Sequence, residues 1–182
     1  MENHFGFNGS ISLSVEKDEY CESPREWGIS VWYHWHKSMV ISNAERISPM
    51  NREDFEEYLA NKGIEWEGIF PLYMIDHGDV KVSISPFNCR FDSGQFGWAV
   101  IPKGSTDYVS CTPEDIVNDE VFNYNQYLSG EVFCYNVIYK GNVIESCGSF
   151  YEKDIALSEG MSVAEYHASF LDIAPRFSFA CM

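Results

Sequence analysis

Apolar and polar residues alternate along several segments of the chain, a pattern typical of half-buried β-strands. Residues 10–16 show it first, with apolar side chains at Ile11, Leu13 and Val15. Residues 28–36 keep the same period, so alternate side chains there should lie on opposite faces of a sheet. The pattern predicts further strands over 68–75, 79–85 and 95–102, and a hairpin over 131–151 that turns at Gly141-Asn142.

Two other segments have helical spacing. Residues 48–63 place apolar side chains four positions apart and end at a glycine. Residues 111–130 open with Thr112 as a predicted N-cap, continue with a proline and two acidic residues, and also end at a glycine. We expect residues 152–182 to form a helical extension and residues 1–9 to be flexible.

Strands joined mainly by hairpins and interrupted by helices predict an α+β fold. We expect a mainly antiparallel sheet of six or seven strands with two or three helices. The length of 182 residues suits a single domain over residues 1–182.

Charge narrows the range of functions more than any other bulk property. The chain has 28 Asp and Glu against 12 Lys and Arg, a formal net charge of −16. Direct binding to nucleic acid is not expected, because phosphates need cations. Between Lys103 and Lys140 there is no Lys or Arg at all.

Nine of the 28 acidic residues form two clusters along the chain. The first is Glu53, Asp54, Glu56 and Glu57, and the second is Asp107, Glu114, Asp115, Asp119 and Glu120. Solvated helix faces would explain both clusters. The alternative is a surface that imitates the charge of a nucleic acid and binds a basic protein.

Two histidines, His34 and His36, share one face of the strand predicted over 28–36, an arrangement that also occurs in strand-built metal sites. With Gly28 they open the cupin pattern G-x5-H-x-H, but no Glu follows His36 at the required spacing. Asp107 stands where the third histidine of that pattern belongs. The sequence therefore predicts no metal site and no cofactor.

A second set of reactive side chains has the composition of a nucleophile, a base and an orienting group. Its members are Asp76, His77, Cys89, Asp92, Ser93 and Gln95. No nucleophile motif surrounds Cys89 or Ser93, and Asp-His-Gly and Asp-Ser-Gly are good turn formers. A Cys/His or Ser/His hydrolase is thus a less favoured alternative, and we predict no enzyme.

The printed chain has no apolar run long enough to span a bilayer, and its first ten residues lack a signal-peptide pattern. We therefore expect a soluble, intracellular protein with no membrane partner.

Five phrases, in unbroken order, resemble an acidic small-protein family encoded by bacteriophages and prophages. They are ESPREW (22–27), FPLYMIDHGD (70–79), SISPFNCRFDSGQFGWAVI (83–101), YNQYLSGEVFCY (124–135) and ESCGSFY (145–151). The segment WYHWHK and the tail 152–182 depart from that family. Small size, acidity and this resemblance together suggest an anti-CRISPR protein that inhibits Cas9.

Taken together with the net charge, this resemblance predicts that the acidic face binds a host defence nuclease, Cas9 or its complex with guide RNA, in the cytoplasm of the bacterial host. Trp27, Trp32 and Trp66 are the predicted aromatic anchors of that contact. A phage accessory protein without catalytic function is the main alternative. The aromatic content of 16% is also consistent with a homodimer.

Overall fold

The computed structural model describes residues 3–7, 11–37, 41, 43–76, 78–89, 91–106, 110–170 and 177–178. Its contacts group into two compact units, which we name by their place in the chain. The central unit comprises residues 23–129, and the discontinuous unit comprises residues 1–22 and 130–182.

Each unit contains one sheet. The strands in chain order are β1 (Asn3–Phe7), β2 (Ile11–Lys17), β3 (Val31–His34), β4 (Ala44–Arg46), β5 (Trp66–Asp76), β6 (Val80–Ser83), β7 (Ser93–Pro102), β8 (Phe133–Tyr139), β9 (Asn142–Phe150) and β10 (Phe177–Ser178). The helices are α1 (Arg52–Asn61), α2 (Pro113–Leu128) and α3 (Lys153–Phe170), with a 3-10 turn over Pro24–Glu26.

The sheet of the central unit has the order β4-β3-β7-β5-β6, with β3 and β4 parallel and the other neighbours antiparallel. Strand β7 lies in the middle, and residues 96–101 along it are all buried. A continuous buried run is expected where a strand is covered on both faces. The two faces of this sheet are covered by different helices.

Helix α1 covers one face and α2 the other. On the α1 side, Tyr33 packs with Phe55 and Leu59 of the helix. On the α2 side, Trp32 packs with residues that include Val117 and Tyr124. Successive residues of β3 thus enter two separate cores, as alternation along a strand requires.

Helix α2 begins where its sequence predicts, after Thr112, whereas α1 begins at Arg52, four residues into the segment 48–63 predicted to be helical. The Asn51 side chain accepts a hydrogen bond from the backbone N–H of Asp54 (2.9 Å) at the start of α1. Thr112 and Asp115 form a reciprocal capping box at the start of α2. These caps satisfy backbone N–H groups that a helix leaves unpaired at its first turn.

The discontinuous unit has an antiparallel sheet of order β10-β1-β2-β8-β9. Helix α3 packs on it through small residues four positions apart, which are Ala156, Gly160, Ala164 and Ala168. At Gly160 a Cβ atom would lie 2.7 Å from Cδ1 of Leu13 and 3.0 Å from the ring of Tyr135. The small side chains therefore permit a close approach of helix to sheet.

The structure confirms the α+β class and the mainly antiparallel pairing within the described residues. It has three helices there, where two or three were predicted. The strands form two sheets, however, and not one. Residues 1–9, expected to be flexible, include strand β1, which pairs with β2. The β8–β9 turn lies at Lys140 and Gly141, one residue earlier than predicted, and both have positive φ (48° and 81°).

The prediction of a single domain over 1–182 stays a prediction beside the two compact units. The extension expected over 152–182 contains α3. No helix within the described ranges is both long enough and apolar enough to cross a membrane.

Replacing Ala164 by Leu should lower the free energy of unfolding by about 1–3 kcal/mol, because the added atoms have no room under α3. The matched control is Glu165→Leu, at the next, exposed position of the helix, which should change stability by less than about 0.5 kcal/mol. Urea denaturation of the two variants measures the difference. Equal stabilities would contradict the packing described for α3.

Candidate protein-binding site

The exposed side of α2 presents both acidic and aromatic side chains. Asp115, Asp119 and Phe122 follow one another at helical spacing and are all exposed, Phe122 at 46%. Glu114 is exposed beside them. This side of α2 points away from the core that Val117 and Tyr124 form with the sheet.

The segment 23–30 packs against α2 and ends where β3 begins. The Ser23 side chain accepts a hydrogen bond from the Arg25 N–H (3.3 Å) and starts the 3-10 turn. Trp27 and Ile29, which follow the turn, are 55% and 37% exposed. A large aromatic side chain is thus presented to solvent by a segment with its own local structure.

The fully buried side chain of Arg25 holds this segment in place. Its guanidinium carbon lies 4.2 Å from the ring centroid of Trp32. Nη1 pairs with a Glu120 carboxylate oxygen at 2.6 Å, and Nη2 donates to the Ser30 carbonyl at 2.5 Å. Burial lowers the pKa of Arg25, while the charge of Glu120 raises it.

Glu120 accepts hydrogen bonds at both carboxylate oxygens. Oε1 receives the backbone N–H groups of Ile29 (2.5 Å) and Ser30 (3.0 Å). Oε2 receives Nη1 of Arg25 and the Ser30 hydroxyl. With two donors on each oxygen, this carboxylate has little capacity left for a partner.

Glu120 was predicted to contact a partner through the acidic face, and the structure corrects that assignment. Its side chain is only 12% exposed and holds the 23–30 segment against α2. Gly28 is part of the same arrangement, because a Cβ atom there would lie 2.5 Å from Nη1 of Arg25. Glu120 is therefore a positioning residue for Trp27.

A concave pocket of about 270 Å³ lies between the segment and the helix. Trp27, Ile29 and Ile116 supply its apolar wall, and Asp119 and Asn123 supply polar groups. An exposed tryptophan beside a small pocket and a carboxylate is a suitable binding site for a protruding side chain.

The two predicted acidic clusters lie on opposite sides of the central sheet, because α1 and α2 cover opposite faces. On α1, Glu56 forms an ion pair with Arg52 (2.7 Å) and Asp54 takes part in the cap with Asn51. Glu53 and Glu57 are exposed, and neither carboxylate has an ion-pair partner among the described residues. One flat partner surface cannot contact both clusters.

The α2 cluster is likewise divided by the structure. Asp115 is used in the capping box, and hydrogen bonds from Thr112 lower its pKa. Glu114 and Asp119 are exposed, and within the described ranges neither has an ion-pair partner. Asp107 lies outside the described residues.

Of the three predicted aromatic anchors, Trp27 alone is largely exposed. Trp32 is 0% exposed because α2 covers its face of the sheet, so its prediction as a surface anchor is wrong. Trp66 is partly buried against the α1-side core.

Several side chains of the alternative hydrolase site line a separate cleft of about 550 Å³ in the central unit. The cleft brings His36 together with Asp76, Asp92, Ser93 and Gln95. Cys89 Sγ lies 3.4 Å from a carboxylate oxygen of Asp92, and the Ser93 hydroxyl donates to the Cys89 carbonyl. These contacts stabilise the turn before β7, and His77 lies outside the described residues.

His34 does not share a site with His36. It is buried at 5% exposure, and its Nδ1 has no hydrogen-bond partner within the described residues. Burial lowers the pKa of His34, and the nearby charges of Arg46 and His36 lower it further. No group of three or more His, Cys, Asp or Glu side chains in the described ranges is placed to hold a metal ion.

The Arg25–Glu120 pair was missed by the sequence analysis. The two residues are 95 positions apart, and neither has a local pattern that marks it as buried. The one available signal was a basic residue between Pro24 and Trp27 in a chain with few basic residues.

Comparison with known proteins gives no relative from which a role could be transferred: no family model matches the chain, and no curated protein or solved structure is significantly similar to it.

Replacing Glu120 by Ala should lower the free energy of unfolding by about 3–5 kcal/mol, because the charge of Arg25 stays buried without its partner. Asp119→Ala, at the adjacent exposed position, is the matched control and should cost less than about 0.5 kcal/mol. Thermal and urea unfolding provide the measurement. Similar losses in both variants would refute the structural role of Glu120.

Stability should also depend on pH through His34. Its pKa is lowered in the folded state, so below the unfolded value of about 6.5 the unfolded chain binds more protons. The free energy of unfolding should therefore fall as the pH drops from about 7 to 5. This interval lies above the pKa values of most carboxyl groups, so their protonation contributes little to the change. His34→Gln should flatten this dependence in urea titrations. An unchanged slope would contradict the assignment to His34.

Proposed function

We propose that this protein is a binding inhibitor of a host defence effector, with Cas9 as the first candidate. The pocket between residues 23–30 and α2, with Trp27 and Asp119, is named the Trp27 site. This site docks on a basic surface of the effector that handles nucleic acid. The observation that carries the proposal is the position of Trp27. A buried ion pair fixes this exposed indole beside Asp119, a carboxylate without an ion-pair partner in the described ranges.

Trp27 has the properties of an interface anchor. Tryptophan is enriched among the residues that dominate binding energies, and such residues fill pockets surrounded by weaker contacts. The segment that carries it is held by Arg25, Glu120 and Ser30. Less conformational freedom is therefore lost on binding, which favours affinity.

The acidic side chains would supply attraction and selectivity. Effectors that act on nucleic acids have positively charged channels for guide and target strands. Glu114 and Asp119 can pair with lysine or arginine side chains there and compete with phosphates. The cluster on α1 faces another direction and would contribute to long-range steering instead.

Charge by itself is insufficient for specific inhibition. A net charge of −16 is modest beside duplex DNA, which carries about one charge per 1.7 Å of axis. The proposed site therefore combines an aromatic anchor with a few carboxylates, and does not reproduce the regular spacing of phosphates.

The test is a Cas9 DNA-cleavage assay with the protein titrated in, together with binding to apo and guide-loaded Cas9 at low and high salt. Inhibition should be dose-dependent, and binding should weaken as salt screens the charges. Trp27→Ala should weaken binding roughly 30-fold or more, as expected for an anchor worth about 2 kcal/mol. Glu114→Lys/Asp119→Lys should weaken it at least about 10-fold.

The matched control is Glu53→Lys/Glu57→Lys, which changes the net charge equally on the opposite side of the sheet. It should retain most of the affinity. Equal losses in both double variants would indicate an effect of total charge and overturn the Trp27 site. If the wild-type protein neither binds nor inhibits Cas9, the Cas9 assignment fails and a phage accessory role becomes the better explanation.

A further inference from the structure

The outer edge of β9 differs from the other sheet edges. Strand β9 has nine residues, and residues 142–148 are all exposed. It pairs with β8 on one side, and no described strand pairs with its other side. Its outward backbone N–H and C=O groups are therefore open to another strand.

The other outermost strands in the described ranges are short. They are β4, β6 and β10, of three, four and two residues. Residues 66–72 of β5 also lack a strand partner on the side away from β7. Strand β4 carries Glu45 and Arg46, and β6 carries Lys81. Short length and charged side chains are the common means by which proteins prevent unwanted strand pairing.

Strand β9 is longer and has few charges, and its pairing with β8 has two register shifts, with regular pairing between them over residues 145–147. It contains no proline and no lysine, and its single charged residue is Glu145. That carboxylate already contacts Nε2 of His167 on α3 at 2.6 Å. Val143 and Ile144 are 58% and 39% exposed, so the edge is apolar as well as open.

We propose that β9 pairs antiparallel with β9 of a second copy of this chain and forms a two-fold dimer. An antiparallel strand pair about a two-fold axis is self-complementary, so one sequence supplies both sides. Glu145 has its partner within its own chain, so the two edges meet without an unpaired carboxylate. A basic foreign strand would find little opposite charge on this edge.

Helix α3 extends the same surface. Its exposed apolar side chains include Tyr166 and Phe170, at 60% and 73% exposure, whose ring centroids are 4.8 Å apart. They flank His167, which contacts Glu145 of β9. Pairing of the two β9 strands by itself buries little area compared with the roughly 1,600 Å² of a typical stable interface, and these rings add apolar contact.

Salt should affect this dimer and partner binding in opposite directions. Each copy has a net charge of −16, so two copies repel at low ionic strength. Screening should therefore strengthen the dimer, whereas it should weaken docking on a basic partner. The dimer is independent of the function proposed for Trp27, and its test needs no partner protein.

The experiment is sedimentation velocity of the full chain over a roughly 100-fold range of concentration at low and high salt. We expect a monomer–dimer equilibrium that shifts toward dimer as salt rises. Val143→Lys/Ile144→Lys should shift the equilibrium to monomer, because it places two cations on each facing edge. Phe91→Lys, at a position of the central unit that is 98% exposed, is the control and should remain dimeric.

Crosslinking supplies a second measurement that does not depend on the lysine variant folding. Cys147 is exposed on β9, and Cys111 is exposed in the central unit. A short bismaleimide should link two copies, Cys147→Ser should greatly reduce the linked dimer, and Cys111→Ser should leave it unchanged. A monomer at every concentration and salt, or linking that persists without Cys147, would overturn the proposal.

Discussion

The buried charge of Arg25 is the constraint on which the candidate site depends. A guanidinium with no solvent exposure must be paired, and Glu120 supplies the ion pair at 2.6 Å. The same carboxylate accepts the N–H groups of residues 29 and 30, so one interaction joins the 23–30 segment to α2. Arg25 and Ser30, on either side of Trp27, both bond to Glu120, and Trp27 between them is exposed. Glu120 thus stabilises the folded structure, although Asp119 beside it is exposed to solvent.

The coverage of the central sheet decides how the surface charge is arranged. Because β7 is buried on both faces, a helix must lie on each side of it. The exposed acidic residues of α1 and α2 therefore lie on opposite sides of the sheet. The largely exposed Trp27 and its pocket lie beside the α2 group, whereas the pocket at the end of α1 is lined by the partly buried Trp66.

In the discontinuous unit, one helix covers a sheet that is wider than the helix. A helix is about 10 Å across and neighbouring strands are about 4.8 Å apart, so α3 covers roughly two strands well. Its small residues lie on β2 and β8, as the contact of Gly160 with Leu13 and Tyr135 shows. The outer strand β9 remains exposed as a result.

Local patterns in the sequence determined the helices, their caps, most strands and the α+β class, because caps and periodicity act within a few residues. They also predicted Trp27 and Asp119 as partner contacts, which stays a prediction, and they did not show that the two residues line one pocket. Tertiary structure alone decided which residues are covered. It buried Trp32, turned Glu120 toward Arg25 and separated the acidic clusters, since each of these outcomes depends on which helix packs on which face. Such contacts join residues about a hundred positions apart, as the separation of 95 between Arg25 and Glu120 illustrates, and no local pattern encodes them.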